Sequence, residues 1–126
     1  MYFSPRTLLL VAAAATLAAA TTLLSAKAAS APARVQVVEK EYTLTLSRLR
    51  IPSGAAIVQV LNFGMDGHDL VISPRAKGAK PVRFSRLSPG GRATLTVRLA
   101  PGRYTLWCSL PGHRARGMVA PLVVTR

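Results

Sequence analysis

Near its C-terminal end the chain runs Gly102-Arg103-Tyr104-Thr105-Leu106-Trp107-Cys108-Ser109-Leu110-Pro111-Gly112-His113-Arg114-Ala115-Arg116-Gly117-Met118. Tyr104, Leu106 and Cys108 alternate along a β-prone run, and Pro111-Gly112 marks a turn. Residues 118–125 read as the closing strand. Cys108 therefore ends one strand, Met118 opens the next, and His113 lies in the connection. A loop between adjacent strands brings its two ends together. The spacing C-x4-H-x4-M can thus aim a thiol, an imidazole and a thioether at one point.

Working outward, short β-rich runs alternate with turn signals, and no heptad, helical stripe or repeat follows residue 30. Residues 34–47 read as one long strand or two short ones, with Val35, Val37, Tyr42, Leu44 and Leu46 in alternation. Pro52-Ser53-Gly54 is a turn. Residues 56–61 are strand-like, 62–67 form a loop with two glycines, and 68–72 make an apolar strand that stops at Ser73-Pro74. Residues 75–86 are basic and irregular, with room for a single helical turn. Ser88-Pro89-Gly90-Gly91 is a strong turn. Residues 92–99 alternate, with Ala93, Leu95, Val97 and Leu99 on one face. Seven or eight short strands in under a hundred residues predict an all-β, Greek-key β-sandwich.

The N-terminal stretch is a separate unit. Residues 7–26 carry no charge and are dominated by Leu and Ala, with Arg6 before them and Ala26-Lys27-Ala28 after. This is the layout of a signal peptide over residues 1–28, leaving a domain of 29–126. Ala31-Pro32-Ala33 offers a second cleavage site, and a retained membrane anchor is the alternative. Either reading exports the domain to the periplasm, the cell envelope or the medium.

The whole chain of 126 residues has a net charge of +13. Cutting after Ala28 removes Arg6 and Lys27, and leaves fifteen basic residues against four acids, a net +11. Such a domain is drawn to anionic surfaces, including acidic proteins and an anionic membrane or cell envelope. Export makes nucleic acid a poor partner. The basic residues are scattered singly along the sequence, which reads as a solvated face.

Cys108 is the one cysteine, so no internal disulfide can form. Its readings are a buried inert thiol, an intermolecular bridge, or a thiolate held by a metal. The chain has two histidines, and the second, His68, starts an apolar strand directly after a glycine loop. Singly, each residue has an ordinary reading: His68 a satisfied histidine, His113 a turn residue, Met118 core packing. Together they form a donor set. Two imidazoles and a thiolate with a weak axial thioether are what electron-transfer copper takes. The predicted ligands are His68, Cys108, His113 and Met118 around one copper ion, Cu(I)/Cu(II).

The segments Asn62–Ile72 (NFGMDGHDLVI) and Gly102–Val123 resemble the two copper-binding stretches of the cupredoxin, or type 1 blue-copper, family. The C-x4-H-x4-M spacing is nearest to auracyanin- and rusticyanin-like members. The resemblance implies single-electron transfer between redox proteins outside the cytoplasm, with no catalysis by the domain alone. It implies that His113 is the ring with an edge to solvent, rimmed by Leu110, Pro111, Met65 and Phe63. Arg114 and Arg116 would steer a partner that is acidic at its docking surface, with the domain a monomer. Asp69 stands where many members carry Asn, and is expected to accept from the Ser109 N–H. Asn62 is expected to tie down its loop, Gly67 to serve turn geometry, and Trp107 to pack beneath a flanking segment. A copper carrier and a metal-free structural sandwich are the competing readings. Copper enzymes need further histidines, and none remain.

Overall fold

The fold was obtained as a computed structural model, which describes residues 29–126. The signal-peptide reading of residues 1–28 lies outside the described residues. Nine strands follow one another: β1 (Ala33–Lys40), β2 (Thr43–Leu46), β3 (Arg50–Pro52), β4 (Gly54–Asn62), β5 (His68–Pro74), β6 (Val82–Leu87), β7 (Arg92–Leu99), β8 (Gly102–Trp107) and β9 (Val119–Thr125). Among the described residues there is no helix.

The strands form two sheets, in the orders β2-β1-β4-β7 and β3-β9-β8-β5-β6. The pairs β1–β4 and β3–β9 are parallel, and the others are antiparallel. The predicted β-sandwich is observed, with nine strands rather than seven or eight. Two strands escaped the sequence reading. Residues 82–87 looked irregular because the basic side chains of Arg83 and Arg86 interrupt the apolar pattern; β6 needs only Phe84 inside. The three-residue β3 is an edge strand held by Ile51, which points into the core.

Alternation sets which face is buried. In β1, Val35 and Val37 point inward, and the next inward position is Glu39. Val58, Val60, Leu70, Leu106 and Leu122 are fully excluded from solvent. Each buried aliphatic side chain contributes roughly 1.5–3 kcal/mol relative to exposure. With no disulfide, that layer carries the fold. The apolar face read for β7 is only partly covered: Leu99 is buried and Leu95 is exposed, because β7 is the edge of its sheet.

The registers define two ends of the sandwich. Leu61 pairs with Arg92, His68 with Leu87, and Trp107 with Val119 at one end. Gly54 pairs with Leu99, Pro74 with Tyr104, and Gly102 with Val124 at the other. The β1–β2 turn, the 62–67 loop and the 109–117 loop all belong to the first end.

Candidate metal centre

Cys108 follows β8 and Met118 precedes β9, so the strand pairing sets them side by side. The Cys108 N–H donates to the Met118 carbonyl at 3.1 Å. Inside the loop, the His113 N–H donates to the Leu110 carbonyl, and the Met118 N–H returns to the His113 carbonyl at 3.1 Å. Backbone bonds thus link all three positions. Cys108 and Met118 are fully buried, and His113 is half-buried.

His68 arrives from the other direction, at the start of β5. The β5–β6 register shifts by one residue between His68 and Leu70. Such irregularities re-aim side chains beside functional sites. His68 is fully buried. Its Nδ1 lies 3.1 Å from His113 Nδ1, and Cys108 Sγ lies 3.6 Å from the same nitrogen. One donor atom from each of the three residues lies within 4.8 Å of the others. Metal–imidazole bonds of about 2.0–2.1 Å and a metal–thiolate bond of about 2.3 Å fit a triangle of that size. Burial pushes the Cys108 thiol up from its ordinary range. A cation among these atoms is what would favour the thiolate.

The outer contacts begin with a residue the sequence reading missed. Glu41, in the β1–β2 turn, places Oε1 2.9 Å from His68 Nε2. The same oxygen accepts from the Met65 N–H at 2.8 Å and the Asp66 N–H at 2.7 Å. Those backbone donors, Asp66 first and then Met65, hold its carboxyl down at about 2, and His68 acts in the same sense. Gly64 lets this happen, because a Cβ there would strike the Glu41 carboxylate. No spacing links residue 41 to residue 68; the only signal was that acids are scarce in this chain. Tyr42 was also missed. Its ring meets His113 edge-on, with centroids 5.2 Å apart.

Asn62 holds the 62–67 loop as expected: Nδ2 donates to the carbonyls of Asp66 (2.7 Å) and Leu87 (3.0 Å), and Oδ1 accepts from the Gly64 N–H. Asp69 accepts from both the Ser109 N–H and the Ser109 hydroxyl, which joins the His68 strand to the Cys108 loop. The Arg86 guanidinium lies over Gly67, where a Cβ would displace it. Trp107 is half-buried under Arg114, whose guanidinium sits 4.4 Å from the ring centroid. Arg116 stacks likewise on Tyr42 at 4.7 Å. Phe63 and Met65, in the 62–67 loop at the same end of the sandwich, are exposed, and Leu110 and Pro111 belong to the loop that carries His113.

Residues 31–125 match the model for copper-binding proteins of the plastocyanin/azurin family. The chain belongs to that family of copper proteins. Solved structures similar to this cupredoxin include the reduced auracyanin of Roseiflexus castenholzii. It is 22% identical with a TM-score of 0.62, and the match covers 77% of this chain and 100% of that one. Rusticyanin from Thiobacillus ferrooxidans is 23% identical, with a TM-score of 0.58 and coverage of 75% and 79%. A copper-containing nitrite reductase from Thermus scotoductus is 12% identical, with a TM-score of 0.54; the match covers 74% of this chain and 31% of the reductase. At these identities the likeness shows the fold. No curated protein sequence matches this cupredoxin. Copper is the metal of the family, and the cluster at the end of the sandwich has the donors it takes.

Proposed function

We propose that this domain is a type 1 copper protein carrying single electrons between redox proteins outside the cytoplasm. Its copper would be held by His68, Cys108 and His113, with Met118 as a weaker fourth donor. The carrying observation is the convergence of both histidines and the one cysteine of the chain within 4.8 Å. When bound, copper supplies a one-electron couple between Cu(I) and Cu(II).

The protein's part is to keep the donors still. Glu41 orients the His68 ring through Nε2, leaving Nδ1 for the metal. The Ser109–Asp69 bonds and the Cys108–Met118 backbone bond fix the thiolate end. Tyr42 braces His113 from the side. His113 is the more exposed of the two rings, and the exposed Phe63 and Met65 lie at the same end of the sandwich, which suits brief docking of a redox partner.

A carrier rather than an enzyme is supported by the histidine count. Both histidines of the chain are spent on this one site, and a further copper centre would need more. Export is supported by the uncharged Leu/Ala stretch of residues 7–26.

The test is the visible spectrum of the protein loaded with Cu(II). An intense red thiolate-to-copper band that bleaches reversibly on reduction supports the reading. A colourless or weakly absorbing complex overturns it. Ready loss of copper to a mild chelator, with no reversible couple, would make the protein a copper carrier instead.

A further inference from the structure

The fifteen basic residues of the described domain, scattered in sequence, are not scattered in space. Lys40, Arg86, Arg92, Arg114 and Arg116 lie in the half that holds the metal centre, at the C-terminal ends of β1 and β6, the start of β7 and the 109–117 loop. All four acids, Glu39, Glu41, Asp66 and Asp69, lie in that half as well. The metal half is therefore almost neutral, at +1. Of the remaining ten cations, Arg83 sits at mid-strand opposite Val71, and nine lie toward the far end, where no acid side chain falls, a formal charge of +9. Every one of the ten is exposed, and among the described residues no Lys or Arg is ion-paired to a carboxylate. Gathering nine like charges at one end is a standing electrostatic cost that an anionic surface would relieve.

The same far end carries a cavity of about 250 Å³. Ile72, Val82, Leu99 and Tyr104 form its apolar lining, and the exposed Lys80 and Arg103 stand at its rim. Apolar inside and cationic outside is the pattern that takes an amphiphile with an anionic head. The chain also enters the domain here: β1 begins at this end, immediately downstream of the stretch that includes the apolar residues 7–26.

We propose that this basic pole docks the domain on an anionic lipid bilayer, with a phospholipid headgroup at the Lys80–Arg103 cavity. The metal end then faces away from the membrane, open to soluble partners. This orientation does not depend on the electron-transfer reading, because the two ends share no residue.

The test is co-sedimentation of the copper-loaded protein, as its cells export it, with phosphatidylglycerol or phosphatidylcholine vesicles. Any insertion of an N-terminal apolar stretch would be indifferent to lipid charge, so the difference between the two lipids reads the basic pole. Phosphatidylglycerol vesicles should bind preferentially, with affinity falling as salt rises. The double variant Lys80→Ala/Arg103→Ala should lose about thirtyfold in affinity for them. The double variant Lys40→Ala/Arg92→Ala removes the same charge from the metal half and should lose no more than a few-fold. Any visible copper band should be the same in both variants, which checks folding and separates this test from that of the redox reading. Equal binding to the two lipids overturns the proposal, as does an equal loss in the two variants. Binding to soluble polyglutamate but not to vesicles overturns lipid as the partner.

Discussion

His68 turns one ring nitrogen toward His113 and Cys108 and the other, Nε2, toward Glu41 Oε1 at 2.9 Å. The carboxylate is already held by two backbone N–H groups, so it is a fixed partner rather than a mobile one. A fixed anion behind a metal-binding imidazole raises its basicity and favours the higher-charged metal state. Glu41→Gln should therefore weaken Cu(II) binding about tenfold. If Cu(I) binding is unaffected, the reduction potential rises by about 59 mV. Redox titration with metal-affinity measurement checks this. An unchanged potential would show that the contact is only structural.

Asp69 offers both oxygens to Ser109. Asp69→Asn keeps one acceptor and removes a negative charge near the thiolate end. The reduction potential should rise, since the lost charge had favoured Cu(II). A potential that stays level or drops would count against an electrostatic role for Asp69.

Met118 is fully buried, with its backbone bonded to both Cys108 and His113. If its thioether is the axial donor, Met118→Gln substitutes a harder oxygen that suits Cu(II) better. The red band should persist with a shifted maximum while the potential falls. A spectrum and a potential both identical to the parent's would place Met118 in the core alone.

Glu39 is the inward-facing acid of β1, and neither carboxylate oxygen has a hydrogen-bond partner. Burial first, then the nearby Asp69 charge, push its carboxyl from 4.5 to about 8. Between those values the folded state keeps a proton that the unfolded chain has lost. Stability therefore falls as pH rises through the window, by about 1.4 kcal/mol per pH unit at most, and levels off above about 8. Glu39→Gln removes the titration. Its melting point relative to the parent should climb between pH 5 and pH 8. A difference that is the same at both pH values would refute the buried-acid account.

Arg114 and Arg116 lean on Trp107 and Tyr42, beside His113, and neither is ion-paired. For an acidic redox partner, the double change Arg114→Gln/Arg116→Gln should slow transfer several-fold at low salt, and the gap should close at high salt. Stopped-flow rates across ionic strength measure it. A parent rate flat from low to high salt removes steering.

The amino-acid sequence by itself specified the sandwich and the donor set. Alternation with period two assigned the buried faces of β1 and β8, because adjacent side chains on a strand must point to opposite sides. The C-x4-H-x4-M loop brought three donors together for a local reason: strand pairing closes its ends. His68 could be added because no other histidine remained to pair with His113. Tertiary structure alone decided the rest. Glu41 reaches His68 across 27 positions, and Tyr42 meets His113 across 71, so no periodicity could announce either contact. β6 was hidden because an outer face tolerates arginine as readily as a loop does. The gathering of nine cations at one end was invisible for the same reason. Residues far apart in the chain become neighbours only when antiparallel and parallel pairing brings their strand ends to one side.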